Sequence, residues 1–146
     1  MARARSFITG VLVQAAFTFA GLVVTRWSFR SCPTGAYTVV PSLIGIAGIA
    51  VVVGLAYWLA VRGLPLPLVV AAWVAGRIAG ALLGAVLPGV GIDAALLAQA
   101  SFGVLALEGR RVAFGAPSLT PLLVQLTVLA LAWLAGSRLG AGIREH

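Results

Sequence analysis

Apolar residues fill most of this chain in long stretches, and short polar or proline-containing segments separate them. A bilayer core about 30 Å thick is crossed by a helix of about 20 apolar residues. Five stretches approach or reach that length: residues 7–25, 39–61, 66–87, 92–108 and 117–136. The pattern predicts an all-α polytopic transmembrane helical bundle, with residues 1–146 as a single integral membrane domain.

The stretch 92–108 is the shortest, and it decides the span count. As a helix it would be about 24 Å long, which is less than the bilayer core. Asp93 follows a glycine-rich turn and precedes an Ala/Leu run, which is typical of a helix N-cap. The stretch is therefore a short span, a tilted re-entrant helix or an interfacial one. We expect about five spans, or four if it is re-entrant.

The first stretch has a basic start, as a signal peptide does. Its apolar run, Phe7 to Thr25, is longer than the usual apolar core of about 7–15 residues, so we interpret it as the first span. The numbers of arginines on the two sides of the membrane are nearly equal for both four and five spans, so the positive-inside rule barely chooses an orientation. We prefer five spans with a cytoplasmic amino terminus, because the Arg3-Ala-Arg5 start and the Arg110-Arg111 pair then both lie inside.

Composition supports a membrane protein and excludes several classes. Hydrophobic residues make up 62% of the chain and charged residues only 9%, against about 25% charged in a soluble domain. The net charge is +7, carried by arginines that lie singly or in pairs, mostly at span ends. Arginines at span ends are typical of residues that contact lipid phosphates and set membrane topology, and not of a nucleic-acid-binding surface. We therefore expect membrane lipids as partners, with Arg110 and Arg111 at headgroups.

Arginine without lysine, together with abundant Ala, Gly, Val and Leu, is typical of a GC-rich prokaryotic genome, and we expect a plasma (inner) membrane location. The chain has one cysteine, Cys32, and one histidine, His146. These exclude an internal disulfide, a cysteine metal cluster and a bis-histidine haem within one chain. We expect no metal and no cofactor. Since no paired carboxylates, intramembrane histidine or activated nucleophile is visible, we expect no enzyme.

A layer of polar side chains at mid-membrane depth is the main candidate site. The midpoints of four predicted spans fall at Gln14, Arg77, Gln99 and Gln125. Polar and charged groups at that depth are costly unless they face the bundle interior or water. We therefore expect Arg77 to face inward, with the three glutamines around it as a ligand-binding or inter-subunit layer. Glutamines in spans also serve purely as interhelical hydrogen bonds, and that structural role stays open.

Small residues surround Arg77 in the third span. They form a small-xxx-small stripe that lets helices approach closely: Ala72, Gly76, Gly80 and Gly84. Arg77 lies about 60° from Gly80 and about 20° from Gly84 around the helix axis. Charge and stripe thus share one side, which we expect to pack against protein.

The counter-charge of Arg77 separates two functions. Asp93 and Glu108 lie roughly 11–14 Å along the helix axis from the centre of segment 92–108, so depth does not favour a direct pair. An anionic or polar ligand would make the protein a transporter or channel component, acting as a homo-oligomer. A carboxylate on another chain would instead make it a non-catalytic accessory or assembly subunit of a larger membrane complex.

Overall fold

A computed structural model of the chain describes residues 2–31, 39–86 and 119–144, and these residues form four α-helices. The helices are α1 (Ala2–Ser31), α2 (Val39–Val61), α3 (Leu66–Ala85) and α4 (Leu119–Arg144). No strand occurs in the described part of the chain. The all-α class is therefore confirmed there, while the predicted span 92–108 lies outside the described residues.

Helix boundaries follow the hydropathy pattern in the middle of the chain and depart from it at both ends. The helix α2 has the predicted bounds, and α3 ends just before the predicted residue 87. The helix α1 instead begins at Ala2, and α4 continues to Arg144. The predicted spans are too short at these ends because they count only apolar residues. A helix continues beyond the bilayer core, since arginine is a good helix former and the backbone hydrogen bonds do not require apolar side chains.

Three described helical segments are long and apolar enough to cross a membrane: Ala2–Val24, Leu66–Ala85 and Leu123–Ala141. A shorter apolar segment, Gly45–Val61, lies within α2. The described residues therefore support a helical membrane protein. They do not establish a count of five spans.

The helices α1 and α3 run parallel and pack closely along their length. Each step of four residues in α1 matches a step of four in α3, and the touching pairs are Gln14 with Gly76, Thr18 with Gly80, and Leu22 with Gly84. A Cβ atom at Gly80 would lie 2.5 Å from the Thr18 Cβ and 2.6 Å from the Ala15 carbonyl oxygen. The glycines thus allow the two backbones to approach more closely than any larger residue would.

The helices α2 and α4 form a second parallel pair. A Cβ atom at Gly136 would lie 2.6 Å from the Tyr57 carbonyl oxygen and 2.9 Å from the Ala60 Cβ. One turn later, Gly140 lies against the backbone of Val61. Both pairs therefore place a helix with spaced glycines against the backbone of its partner.

A tight turn joins α2 to α3. Gly63 has a φ of 76°, a conformation that favours glycine. The amide of Gly63 donates to the Ala60 carbonyl at 2.8 Å, and the amide of Leu64 donates to the Leu59 carbonyl at 3.1 Å. These two bonds form a Schellman motif, which satisfies carbonyls at the end of α2 and turns the chain directly into α3.

These pairings place both ends of the described chain at one end of the bundle. The Trp133 indole Nε1 donates to the Leu64 carbonyl at 2.9 Å, near the start of α3, while Arg77 further along α3 bonds Gln125, which is earlier in α4. The helices α3 and α4 are thus antiparallel. The start of α1, the α2–α3 turn and the end of α4 lie together, at what we call the basic end, with Arg3, Arg5, Arg62 and Arg138.

The start of α1 and the end of α4 lie at one end of the bundle, whereas the five-span arrangement expects the two termini on opposite sides. The count of five is not confirmed, and the segment 92–108 on which it depends lies outside the described residues. Hydropathy treats each span separately, whereas the direction of α4 is fixed by the contacts of Gly136 and Gly140 with α2. Those contacts are invisible in a count of apolar stretches.

A hydrophobic core joins the two helix pairs towards the basic end. It includes Leu59 from α2, Val69 and Trp73 from α3, and Leu129 from α4, all nearly or fully buried. The core holds the first half of α3 in place and so positions the polar residues that follow it.

Candidate polar site in the bundle

Arg77 is buried inside the bundle and is bonded to a second helix. Its side chain is 8% exposed, and its Nη1 donates a hydrogen bond of 2.5 Å to the Gln125 Oε1 on α4. Gln125 is itself 7% exposed. A hydrogen bond from a guanidinium to an amide oxygen is charge-assisted, so it is stronger than a bond between neutral groups. It ties α3 to α4 at the level of these two residues.

The indole of Trp73 lies under the same guanidinium. The Arg77 Cζ is 5.0 Å from the centroid of the Trp73 ring. A cation over an aromatic face at this distance is attracted by the ring quadrupole, and the attraction grows when both groups are shielded from water. Because Trp73 precedes Arg77 by one helical turn, α3 alone supplies both partners.

Gln14 brings a second amide to this level from α1. It is 3% exposed and packs on Gly76, the residue before Arg77. Its Nε2 donates to the Thr18 Oγ1 at 3.3 Å, one turn further along α1. The absence of a side chain at Gly76 creates the room for Gln14, so the glycine stripe and the polar layer depend on each other.

Two buried polar atoms at this level of the bundle make no hydrogen bond within the described part of the chain. They are the Gln14 Oε1, an acceptor, and the Trp73 Nε1, a donor. Buried polar atoms in proteins are nearly always hydrogen-bonded, and those that are not merit an explanation. Each of these two atoms thus has capacity for a hydrogen bond that no described residue fills.

The structure brings together three of the four predicted layer residues. Gln14, Arg77 and Gln125 are all buried at one level of the bundle, on α1, α3 and α4. The fourth, Gln99, lies outside the described residues. We call the first three, with Thr18 and Trp73, the polar layer.

Thr18 and Trp73 were missed by the sequence reasoning, although a signal for both exists. Thr18 follows Gln14 by four residues, and Trp73 precedes Arg77 by four. Residues at this spacing face each other on a helix surface. A search for side chains one turn away from each mid-span polar residue would have found both.

The small-residue stripe and Arg77 face different neighbours. Gly76, Gly80 and Gly84 meet α1, and Ala72 is fully buried near Gly10 of α1. The Arg77 guanidinium instead reaches α4. The side of α3 that packs on protein is therefore wider than the stripe, and it includes two adjacent faces with different partners.

The other predicted positions fall elsewhere. Arg110 and Arg111, predicted at lipid headgroups, lie outside the described residues, as do Asp93 and Glu108. Within residues 2–31, 39–86 and 119–144 no group of three His, Cys, Asp or Glu side chains is arranged to hold a metal ion.

The described side chains of the polar layer are suited to binding a ligand. A guanidinium keeps its proton in proteins, and amides, a hydroxyl and an indole N–H neither donate nor remove protons as general acids or bases near neutral pH. Together they offer donors, acceptors and one permanent positive charge. Such a set is chemically able to orient a polar or anionic group.

Comparisons of the chain with protein family models, with curated proteins and with solved structures gave no match.

Proposed function

We propose that this protein is a small transporter or channel component of a prokaryotic inner membrane, acting as a homo-oligomer, with the polar layer as its site for an anionic or polar ligand. The observation that carries the proposal is the buried Arg77–Gln125 bond, at a level of the bundle that also holds an acceptor on Gln14 and a donor on Trp73. A ligand with both donor and acceptor groups would satisfy these atoms.

The free energy of burying Arg77 supports a functional role. An arginine at the centre of a membrane helix costs roughly 2.5–3.5 kcal/mol on insertion scales, so charged residues there usually mark ligand or ion sites. Packing of α1 on α3 needs only the small residues, because Gly80 and Gly84 make their contacts without any charge. The charge in the layer therefore exceeds what helix packing requires.

The burial of Arg77 also bears on the accessory-subunit alternative. A charge partner for another subunit would lie on the outer surface of the bundle. Arg77 instead bonds Gln125 of its own chain and stacks on Trp73 of its own helix. These contacts favour an internal ligand site over an inter-subunit contact.

Native mass spectrometry of the tagged chain, extracted gently from its own membranes, tests this proposal. We expect a homo-oligomer that retains a small polar or anionic molecule, whose mass identifies the ligand class. The variant Arg77→Leu should fold and assemble but lose that molecule. The matched control is Arg138→Leu, which removes the same charge from an exposed position on α4 and should retain it.

Two results would overturn the proposal. A foreign membrane protein at fixed stoichiometry would identify the chain as a subunit of a larger complex. Equal retention of the small molecule by wild type and Arg77→Leu would show that the polar layer does not bind it. Circular dichroism of both variants shows whether each has kept its helices.

A further inference from the structure

An open groove of about 320 Å³ lies at the basic end of the bundle, away from the polar layer. The start of α1, the α2–α3 turn and the end of α4 all contribute to it, and its lining includes Arg3, Gly63, Pro65, Trp133, Ser137 and Ala141. Its volume is at the lower end of the range of about 300–1,000 Å³ found for small-molecule sites. The groove can therefore hold a group of the size of a lipid headgroup.

The depth of the groove is that of the membrane interface. Arg3 lies at the beginning of the apolar segment Ala2–Val24, Pro65 directly precedes Leu66–Ala85, and Ala141 is the last residue of Leu123–Ala141. Three candidate membrane spans thus end at its walls. Trp133 in the wall is also a residue type enriched at that depth.

The electrostatics of the groove favour an anion. Arg3 is its charged side chain, and Arg5, Arg62 and Arg138 lie at the same end of the bundle. All three acidic residues of the sequence, Asp93, Glu108 and Glu145, lie outside the described residues. The described lining itself holds Arg3 and no acidic side chain.

Arg3 is the main polar contact that the groove offers a ligand, because the neighbouring backbone carbonyls already accept hydrogen bonds. The carbonyls of Leu59, Ala60 and Leu64 accept hydrogen bonds from the α2–α3 turn and from Trp133. The hydroxyl of Ser137 donates to the Leu134 carbonyl at 2.9 Å. Pro65 is the N-cap of α3 and lines the groove, so the positive end of that helix dipole also lies there.

We propose that the groove binds the phosphate of an anionic membrane lipid, with Arg3 as its charge partner. The apolar wall favours a lipid over a soluble anion, because Trp133, about two turns further into the bundle than Ala141, would contact the glycerol and first acyl carbons. The site is separate from the polar layer, and the inference does not depend on the function proposed for that layer.

Lipid titration of the purified full-length protein, followed by native mass spectrometry, tests the site. The probes are phosphatidylglycerol and phosphatidylcholine with identical acyl chains. We expect wild type to bind one phosphatidylglycerol in preference to phosphatidylcholine. Arg3→Gln should weaken phosphatidylglycerol binding about fivefold, the effect of losing one arginine near an anionic surface, and leave phosphatidylcholine binding unchanged.

The matched control is Arg5→Gln, because Arg5 carries the same charge on the same helix and does not line the groove. We expect it to change phosphatidylglycerol binding less than about twofold, since its charge acts only from a distance. Equal weakening by both substitutions would show general attraction to the basic end and overturn the site. Displacement of phosphatidylglycerol from wild type by inorganic phosphate would show a soluble-anion site and also overturn the proposal.

A second variant keeps the test valid if Arg3→Gln loses helical circular dichroism. Ser137→Phe fills the groove with an apolar ring and retains every arginine. It should reduce binding of phosphatidylglycerol at least as much as Arg3→Gln does. Undiminished binding by Ser137→Phe would contradict occupation of the groove.

Discussion

The hydrogen bond from Arg77 to Gln125 links the charged side chain of α3 to α4. Both groups are buried, so removing one of them takes a hydrogen bond from the other that lipid does not replace. The energy of the pair therefore differs from the sum of what each residue contributes alone. Such coupling is measured by a double-mutant cycle.

We predict a coupling free energy of about 0.6–1.7 kcal/mol between Arg77 and Gln125, the range found for hydrogen bonds between membrane helices. Gln125→Leu alone should destabilise the fold because it removes an acceptor from a buried guanidinium. Adding Arg77→Leu should recover part of that loss. Unfolding by a denaturing detergent in mixed micelles measures the free energy of each variant.

The control for this cycle is Thr127→Val on the same helix. The Thr127 hydroxyl is exposed and donates to the Leu123 carbonyl within α4, so its loss should change stability by less than about 0.5 kcal/mol. Strict additivity of Arg77→Leu and Gln125→Leu would show that the bond contributes nothing to the fold.

Sequence reasoning located the polar layer but not its bonds. Depth follows from span midpoints, and these midpoints place Gln14, Arg77 and Gln125 at one level. Which amide receives the guanidinium depends on how each helix is rotated about its axis. That rotation is set by packing, here by Gly76 on Gln14, and hydropathy contains no information about it.

The pairing of α1 with α3 is the principal close contact between whole helices. Their four-residue register depends on glycines that meet backbone or branched side chains of α1. Glycine lowers helix stability by about 1 kcal/mol relative to alanine in an exposed helix interior. A glycine in a packed interface and one on an open face should therefore respond to alanine in opposite ways.

We predict that Gly80→Ala destabilises the protein by about 1–3 kcal/mol, the usual cost of overpacking. The new methyl group would lie 2.6 Å from the Ala15 carbonyl oxygen, and backbone cannot move aside as a flexible side chain can. Gly84→Ala should cost less, because its nearest neighbour is the end of the Leu22 side chain. Thermal unfolding in detergent provides the comparison.

Gly54→Ala is the matched control, since a Cβ atom there would meet nothing within 4 Å. It should leave stability unchanged or raise it slightly. If Gly80→Ala were as stable as Gly54→Ala, the close α1–α3 contact would be absent from the folded protein.

Helices in the middle of the sequence were predictable, and their partners were not. The bounds of α2 follow from proline, aromatic and arginine residues around an apolar run. The small-residue stripe on α3 predicts a closely packed neighbouring helix. It does not distinguish a parallel contact with α1 from an antiparallel contact with α2 or α4, because each of these contacts would need small residues. The choice is made by the complementary shapes of Gln14, Thr18 and Leu22.

At the scale of the whole molecule, two parallel helix pairs run in opposite directions. The pair of α1 and α3 starts at the basic end, and the pair of α2 and α4 finishes there. Both described ends of the chain therefore lie at one end of the bundle. Under the four-span count, that end holds five arginines: Arg3, Arg5, Arg62, Arg138 and Arg144. The positive-inside rule then favours the cytoplasm for this end.

We predict that reporters fused to the amino and carboxyl termini lie on the same, cytoplasmic side. Green fluorescent protein should fluoresce at both positions and alkaline phosphatase should be inactive at both, because the first folds in the cytoplasm and the second outside it. The control is a reporter inserted after Thr34, between α1 and α2, where the two activities should be reversed. Opposite results at the two termini would require an odd number of crossings. The α4 contacts of Gly136 with Tyr57 and of Trp133 with Leu64 would then be incompatible with the membrane-inserted protein, since α4 could not run parallel to α2.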